Sequence, residues 1–276
     1  MGLRHLVRGA VVSAVVTAGV RTAADRRPPG GGERWTRTNH RGEPISLLEG
    51  PAVAAGLAVG ALAAGRGRGR AAGVVATVGA GAFGLVDDLA EDTSTRTKGL
   101  RGHLGALREG RLTTGGLKVL GIGATSLVAA AIGTRRTGSA GAWAADVAVN
   151  AALVAGTANL LNLLDLRPGR ALKASAALAA VPAGGPLAAA GTGAVLGSAS
   201  AAWTGDLGEK DMLGDSGANA LGALLGTRLA LGLPRPLRLA ALAGVVGLTL
   251  ASEKVSFSKV IAETPWLKAV DDLGRR

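Results

Sequence analysis

The chain has only 19 Asp and Glu among 276 residues, and several of them stand at the ends of apolar stretches. An acid in or at the edge of a bilayer costs ~2.5–3.5 kcal/mol, so such positions call for a partner or a purpose. The first group is VDDLAED, which sets Asp87 beside Asp88 and puts Glu91 and Asp92 about a turn further on. Adjacent carboxylates repel, so one of them is protonated or a divalent cation or cationic group sits between them. The second group is Asn159, Asn162 and Asp165. Their i, i+3 spacing lays two amides and a carboxylate along one helix stripe, suited either to a polar ligand or to polar contacts between helices. The third, TGDLGEKDMLGDSGANALG, carries Asp206, Glu209, Asp211 and Asp215 in a glycine-punctuated loop. Asp215 and Ser216 precede a helix start, where they serve as N-caps or face an anion or its metal.

Between the first and second groups runs TRTKGLRGHLGALREGRLTTGGLK, with Lys98, Arg101, His103, Arg108 and Arg111. Carboxylates that can hold Mg2+ beside cations that can hold phosphate describe a site for handling a diphosphate at a membrane surface. That chemistry requires the three groups to meet, so the elements that carry them decide the matter.

Those elements read as membrane helices. Hydrophobic residues make up 48% of the chain and charged residues 18%, and the mean hydropathy is +0.33. Nine apolar runs emerge, near residues 6–24, 51–64, 71–86, 117–133, 143–164, 171–181, 187–203, 218–232 and 237–252. The expected fold is therefore an all-α polytopic transmembrane bundle of about nine to ten spans, a single integral membrane domain over 1–276 with residues 253–276 as a cytoplasmic tail. The first run also resembles a signal peptide, since Arg4 and Arg8 accompany its apolar core. Loops after alternate runs, beginning with the first, hold roughly twice as many Lys and Arg as the others, which places them in the cytoplasm and the amino terminus outside. All three acidic groups fall on that side. Gly56 with Gly60, Gly193 with Gly197, and Gly222 with Gly226 make small-residue faces for close helix packing.

Composition also excludes. Without Cys there are no disulfides, thiolate metal sites or cysteine nucleophiles. The net charge of +12 does not indicate nucleic acid: aromatics are 2% of the chain, and the Arg66 to Arg70 turn merely links two apolar runs.

In these motifs and their order the chain resembles the MraY/WecA family of polyprenyl-phosphate sugar-1-phosphate transferases. Asp87, Asp88 and Lys98-Gly99-Leu100 look like the family's paired aspartates followed by Lys-Gly-Leu. Asn159, Asn162 and Asp165 look like its Asn-x-x-Asn-x-x-Asp. Gly214-Asp215-Ser216-Gly217-Ala218 looks like its Gly-Asp-x-Gly-Ser before a span. The resemblance implies a Mg2+-dependent transfer of sugar 1-phosphate from a nucleotide diphosphate sugar to polyprenyl phosphate, at the cytoplasmic face of the plasma membrane, for cell-wall or surface-glycan synthesis. By it, Asp87, Asp88 and Lys98 are catalytic, Asp215 holds the metal with Asp87 and Asp88, and Asn159, Asn162 and Asp165 position the nucleotide substrate. The role split between Asp87 and Asp88 stays open, as does a homodimer. The first loop, with Asn39, His40, Arg41 and Glu49, falls where the family has a substrate loop.

Three features depart from the family. Pro168 stands where a nucleobase-contacting Asp is expected, the only histidines are His5, His40 and His103 so the family's histidine-rich last loop has no counterpart, and the chain ends in a tail that carries Lys254, Ser256, Ser258 and Lys259. A non-catalytic relative that binds a lipid-linked precursor or a membrane partner is the alternative those departures raise. A transporter fits less well, because the charges gather at run ends and no inverted repeat is visible.

Overall fold

The computed structural model describes residues 2–39, 41–90 and 113–276. Among them are eleven α-helices and one small hairpin, an all-α bundle in keeping with a membrane protein. The long helices are α1 (Gly2–Arg26), α3 (Arg68–Ala90), α4 (Thr114–Gly133), α5 (Ala140–Leu164), α7 (Pro186–Leu207), α8 (Gly214–Gly232) and α9 (Arg235–Ser252). Shorter ones are α2 (Glu49–Leu62), α6 (Arg170–Ala179), α10 (Phe257–Glu263) and α11 (Pro265–Asp272). Strands β1 (Thr36–Thr38) and β2 (Pro44–Ser46) pair antiparallel between α1 and α2.

Seven of the nine apolar runs lie within a helix and the other two, 51–64 and 171–181, each overrun theirs by two residues, but the expected nine to ten spans are not all met. Among the described residues five helices, α1, α3, α4, α5 and α9, are long and apolar enough to cross a membrane. The reason is physical. Helix α2 has 14 residues and α6 has 10, and at ~1.5 Å per residue both fall short of a ~30 Å hydrocarbon layer. Helices α7 and α8 have the length, but Gly, Ser, Thr and, in α8, Asp215, Asn219 and Arg228 dilute their apolar character.

That dilution follows from position. Helix α8 is the central element, buried at every residue from Ser216 to Ala230, and packed by α2, α3, α5 and α7. Helices on the outside instead present Leu and Val outward, such as Val11 and Val15 of α1 and Leu248 and Leu250 of α9. A central helix meets protein rather than lipid, so small side chains that allow close approach serve it better than bulky ones. A Cβ at Gly222 would lie 2.8 Å from the Ala158 nitrogen of α5, and one at Gly226 would lie 2.7 Å from the Val154 Cα. Gly193 and Gly197 of α7 admit the backbone of α1 at Leu6 and Ala10 in the same way. Where α1, α2 and α7 meet, Ser13 Oγ donates to the Ala194 carbonyl at 2.8 Å and pairs with Ser198 Oγ at 2.5 Å. A buried hydroxyl is thus satisfied without a charge.

Successive helices run in opposite directions, so the connections alternate between two ends of the bundle. At one end Arg21 of α1 reaches Asp211 at 2.5 Å, Ser46 pairs with the segment before α8, and Asp206 of α7 accepts from Gly169 N at 3.1 Å. At the other, His5 Nδ1 lies 2.6 Å from the Ala63 carbonyl, and Gly184 N donates to the Gly232 carbonyl at 2.9 Å. Residues 253–276 form a short turn, α10 and α11. Helix α11 is pinned to α6 by a bidentate pair between Arg170 and Asp271, at 2.8 and 2.9 Å.

Candidate active site: four carboxylates and a lysine at the start of a buried helix

A helix start leaves its first backbone N–H groups without partners. Helix α8 begins inside the protein, and Leu213 at its N-cap position offers no side-chain acceptor. Other elements supply the acceptors. Asp88, from the last turn of α3, accepts from Asp215 N with one carboxylate oxygen and from Ser216 N with the other, both at 2.9 Å. Asp165, at the end of α5, lies close enough for its carboxyl to feel the Gly214 N–H. Two N–H groups at the positive end of α8 are therefore met by one carboxylate from a distant part of the chain, with a second carboxyl beside it, an arrangement the helix dipole favours.

This cap in trans frees the residues expected to cap the helix themselves. Ser216 Oγ turns to the Gly81 carbonyl on α3 at 3.1 Å. The Asp215 carboxylate points instead toward Asp87, within hydrogen-bond reach of it, and Lys118 Nζ from the second turn of α4 lies between them. The lysine pairs with Asp87 at 2.6 Å and with Asp215. One ammonium thus joins two carboxylates that would otherwise repel. The approach is possible because Gly84 of α3 lies against the start of α8, where a Cβ would come within 2.8 Å of Ser216 N and nearer still to Asp215.

The rest of this end is acidic as well. Burial pushes the Asp165 carboxyl well above the usual carboxylate range, and the charges of Asp206, Asp215 and Asp88 push the same way against the Gly214 N–H. Glu49, in the first turn of α2, is 3% exposed, and its Oε1 has no hydrogen-bond partner among the described residues. Glu209, with φ of 56°, holds Arg41 at 3.1 Å and receives Asn39 Nδ2 at 3.3 Å. The β1–β2 hairpin closes over the site: Met212 N donates to the Ser46 carbonyl at 2.9 Å, and Arg37 donates to the Asp88 carbonyl.

The structure thus brings Asp87, Asp88, Asp165 and Asp215 to one place. Asn162 is half-buried one turn before Asp165 and accepts its backbone N–H at 3.1 Å through the main chain, whereas the Asn159 side chain is exposed. His40, Glu91, Asp92, Lys98, Arg101, His103, Arg108 and Arg111 lie outside the described residues. Lys118 is the residue that motif reading passed over. Its signal is present in TTGGLKVLGIG: a lysine placed more than a turn into an apolar helix is costly without a counter-charge.

Among the described residues no group of three or more Asp, Glu or His side chains is arranged to hold a metal ion. The donors that do converge are hard oxygens, the type Mg2+ prefers. The place between Asp87 and Asp215 already attracts a cation, the Lys118 ammonium. Compared with known proteins, the chain matches no family model and no curated protein sequence.

Proposed function

We propose that the protein is a Mg2+-dependent phosphoglycosyl transferase that moves a sugar 1-phosphate from a nucleotide diphosphate sugar to polyprenyl phosphate. One observation carries this reading: Asp87, Asp88, Asp165 and Asp215, from three sequence-distant motifs, gather with Lys118 at the N-terminus of α8. In the reaction an oxygen of the lipid phosphate attacks the phosphorus that bears the sugar. A new P–O bond forms, the bond to the bridging oxygen breaks, and nucleoside monophosphate leaves with the electron pair. Two phosphate groups repel, so the site has to supply positive charge and in-line alignment.

Asp87 and Asp215 are the carboxylates we assign to Mg2+, which when bound supplies the charge that draws the two phosphates together. Lys118, already beside both acids, neutralises phosphate oxygens, a task to which Lys98 from the Lys-Gly-Leu motif is also assigned. Asp88 has both oxygens engaged by backbone N–H groups, so its role is to position Asp215. Asp165, with Asn162 a turn before it, is assigned to the nucleotide end, with Asn159 further along the same stripe. We place this end of the bundle at the cytoplasmic face of the plasma membrane, from the excess of Lys and Arg in its loops, and read the passages beyond the five apolar helices as further crossings shielded within the bundle. The product would be a lipid-linked sugar for cell-wall or surface-glycan assembly.

The test is exchange of labelled nucleoside monophosphate into a panel of nucleotide sugars by purified protein, with and without Mg2+ and polyprenyl phosphate. Metal- and lipid-dependent exchange with one or more sugars is the expected result, abolished by Asp87→Asn and Asp215→Asn in protein that remains folded. Normal exchange by both variants overturns the assignment. The tie of Lys118 to both acids favours a second reading, a non-catalytic relative that binds a lipid-linked precursor. Binding of polyprenyl phosphate with no exchange under any condition would select it.

A further inference from the structure

At the end of the bundle away from the acids lies a cavity of about 360 Å³, in the roughly 300–1,000 Å³ range of small-molecule sites. Arg66, Arg68, Arg70, Arg135 and Arg228 line it, and no acid does. Among the described residues none of the five forms an ion pair with a carboxylate. Arg228 is the floor: it is 3% exposed, one turn before the end of α8. Its guanidinium is held by Thr192 Oγ1 at 2.9 Å, by the Leu178 carbonyl at 3.1 Å and by the Val181 carbonyl. Those bonds give each guanidinium nitrogen a partner, but carbonyl dipoles do not neutralise a buried charge, and an isolated one is expensive. Arg66, Arg68 and Arg135 stand exposed around the mouth and Arg70 is half-buried beside them.

The backbone adds to the same field. The cavity is bordered by the first residues of α3 and of α7. Gly185, the N-cap of α7, has φ of 91° and carries no capping side chain. Two helix N-termini therefore open onto the arginines, and their dipoles favour negative charge, although Pro186 at the first position of α7 brings no N–H.

We propose that this cavity is an anion-binding site for a phosphate-bearing group, a diphosphate or the headgroup of an anionic phospholipid, at the end of the bundle opposite the acidic cluster. An ammonium or a neutral sugar alone would leave the buried Arg228 charge uncompensated. A phosphate group supplies several acceptor oxygens for guanidinium forks, which bind it bidentately. The inference is independent of the transferase reading, since no residue is shared.

Two probes test it in chelator-treated protein, so that no metal recruits the ligand to the acidic end. Pyrophosphate is titrated into the full-length protein in detergent by calorimetry. In parallel, the protein is placed in nanodiscs of equal phosphatidylcholine and phosphatidylglycerol, and lipid retained on release is read by native mass spectrometry. The structure expects binding of at least one probe, weakened roughly tenfold in the triple variant R66Q/R68Q/R135Q. Because these side chains are exposed, the singles R66Q and R135Q keep the test available if the triple variant does not fold, each with a smaller loss. Pyrophosphate binding identifies a soluble diphosphate as the ligand, and phosphatidylglycerol retention alone identifies a lipid headgroup. No binding of either probe by the wild type, or equal binding by wild type and variants, overturns the proposal.

Discussion

Replacing Asp88 separates a residue that builds the site from one that reacts in it. Both Asp88 oxygens accept backbone N–H groups of α8 at 2.9 Å, from Asp215 and Ser216. In Asp88→Asn one oxygen can still accept, while the amide NH2 turns a donor toward the remaining N–H. The loss is one charge-assisted hydrogen bond, worth ~1.5–3 kcal/mol, and the attraction of a carboxylate for the helix N-terminus, worth ~0.3–1 kcal/mol. Relief of the cost of burying a charge offsets part of this, leaving about 2 kcal/mol of destabilisation. Asp88→Ala removes both acceptors and should cost about 3–4 kcal/mol, since two N–H groups are then left unpaired. Asp87 instead faces the side chains of Lys118 and Asp215, so Asp87→Asn should cost under about 1 kcal/mol. At ~2–4 °C per kcal/mol for a chain of this size, thermal unfolding in detergent should show Asp88→Asn melting ~4–8 °C below wild type and Asp87→Asn within a few degrees of it. Hydrogen exchange at the amides of 215 and 216 should rise in both Asp88 variants and not in Asp87→Asn. If Asp88→Ala melts with the wild type and those amides stay protected, the cap in trans is refuted, and with it the positioning role.

Lys118→Gln should lower exchange activity by ~10²–10³, the usual cost of losing an electrostatic stabiliser; an unchanged rate would leave Lys118 as a structural counter-ion only. Gly84→Ala puts a methyl group against the Asp215–Ser216 backbone and should destabilise by ~1–3 kcal/mol, whereas Gly123→Ala, with nothing within 4 Å of its Cβ, should melt with the wild type; equal melting of both variants would contradict the close contact of α3 with α8. For Asp271, burial raises the carboxyl pKa, but the hydrogen bond and charge of Arg170, with the charges of Arg275 and Lys173, outweigh it and hold the net value below the ordinary carboxylate range. Its contribution is therefore fully present above the unfolded value near ~3.9 and is lost only as pH falls through the lower folded value. Hydrogen exchange should find α11 protected at pH 5 and opening at more acidic pH, and Arg170→Ala should open it at pH 5 already; protection of α11 in that variant would show that the pair does not hold it.

How much was legible from the residues alone depended on whether a signal was local. Long apolar stretches bounded by charges fix where helices form, because each satisfies its backbone internally and shows only side chains to its surroundings. Each of the nine runs accordingly has its helix, two of them overrunning it by two residues. Alternation of those helices also placed the VDD, Asn-x-x-Asn-x-x-Asp and Gly-Asp-Ser segments at one end without reference to any contact. What chain order could not supply was which helix is central. Composition alone makes α8 a weaker span than its neighbours, yet its small and polar residues are what let it sit innermost, so burial within protein took the place of burial in lipid.

The same limit applies at the site. Asp215 and Ser216 carry the local signature of an N-cap, and no reading of neighbours along the chain reveals that an acid 127 positions away performs the capping. Once Asp88 is bonded to the start of α8, the Asp215 carboxylate is released toward Asp87, and Lys118 is drawn in by a charge that neither residue creates alone. The amino-acid order thus determined the residue types and the end of the bundle at which they gather. Their division into capping, charged and positioning groups depends on which hydrogen bonds are already taken, and that is settled only when distant helices pack.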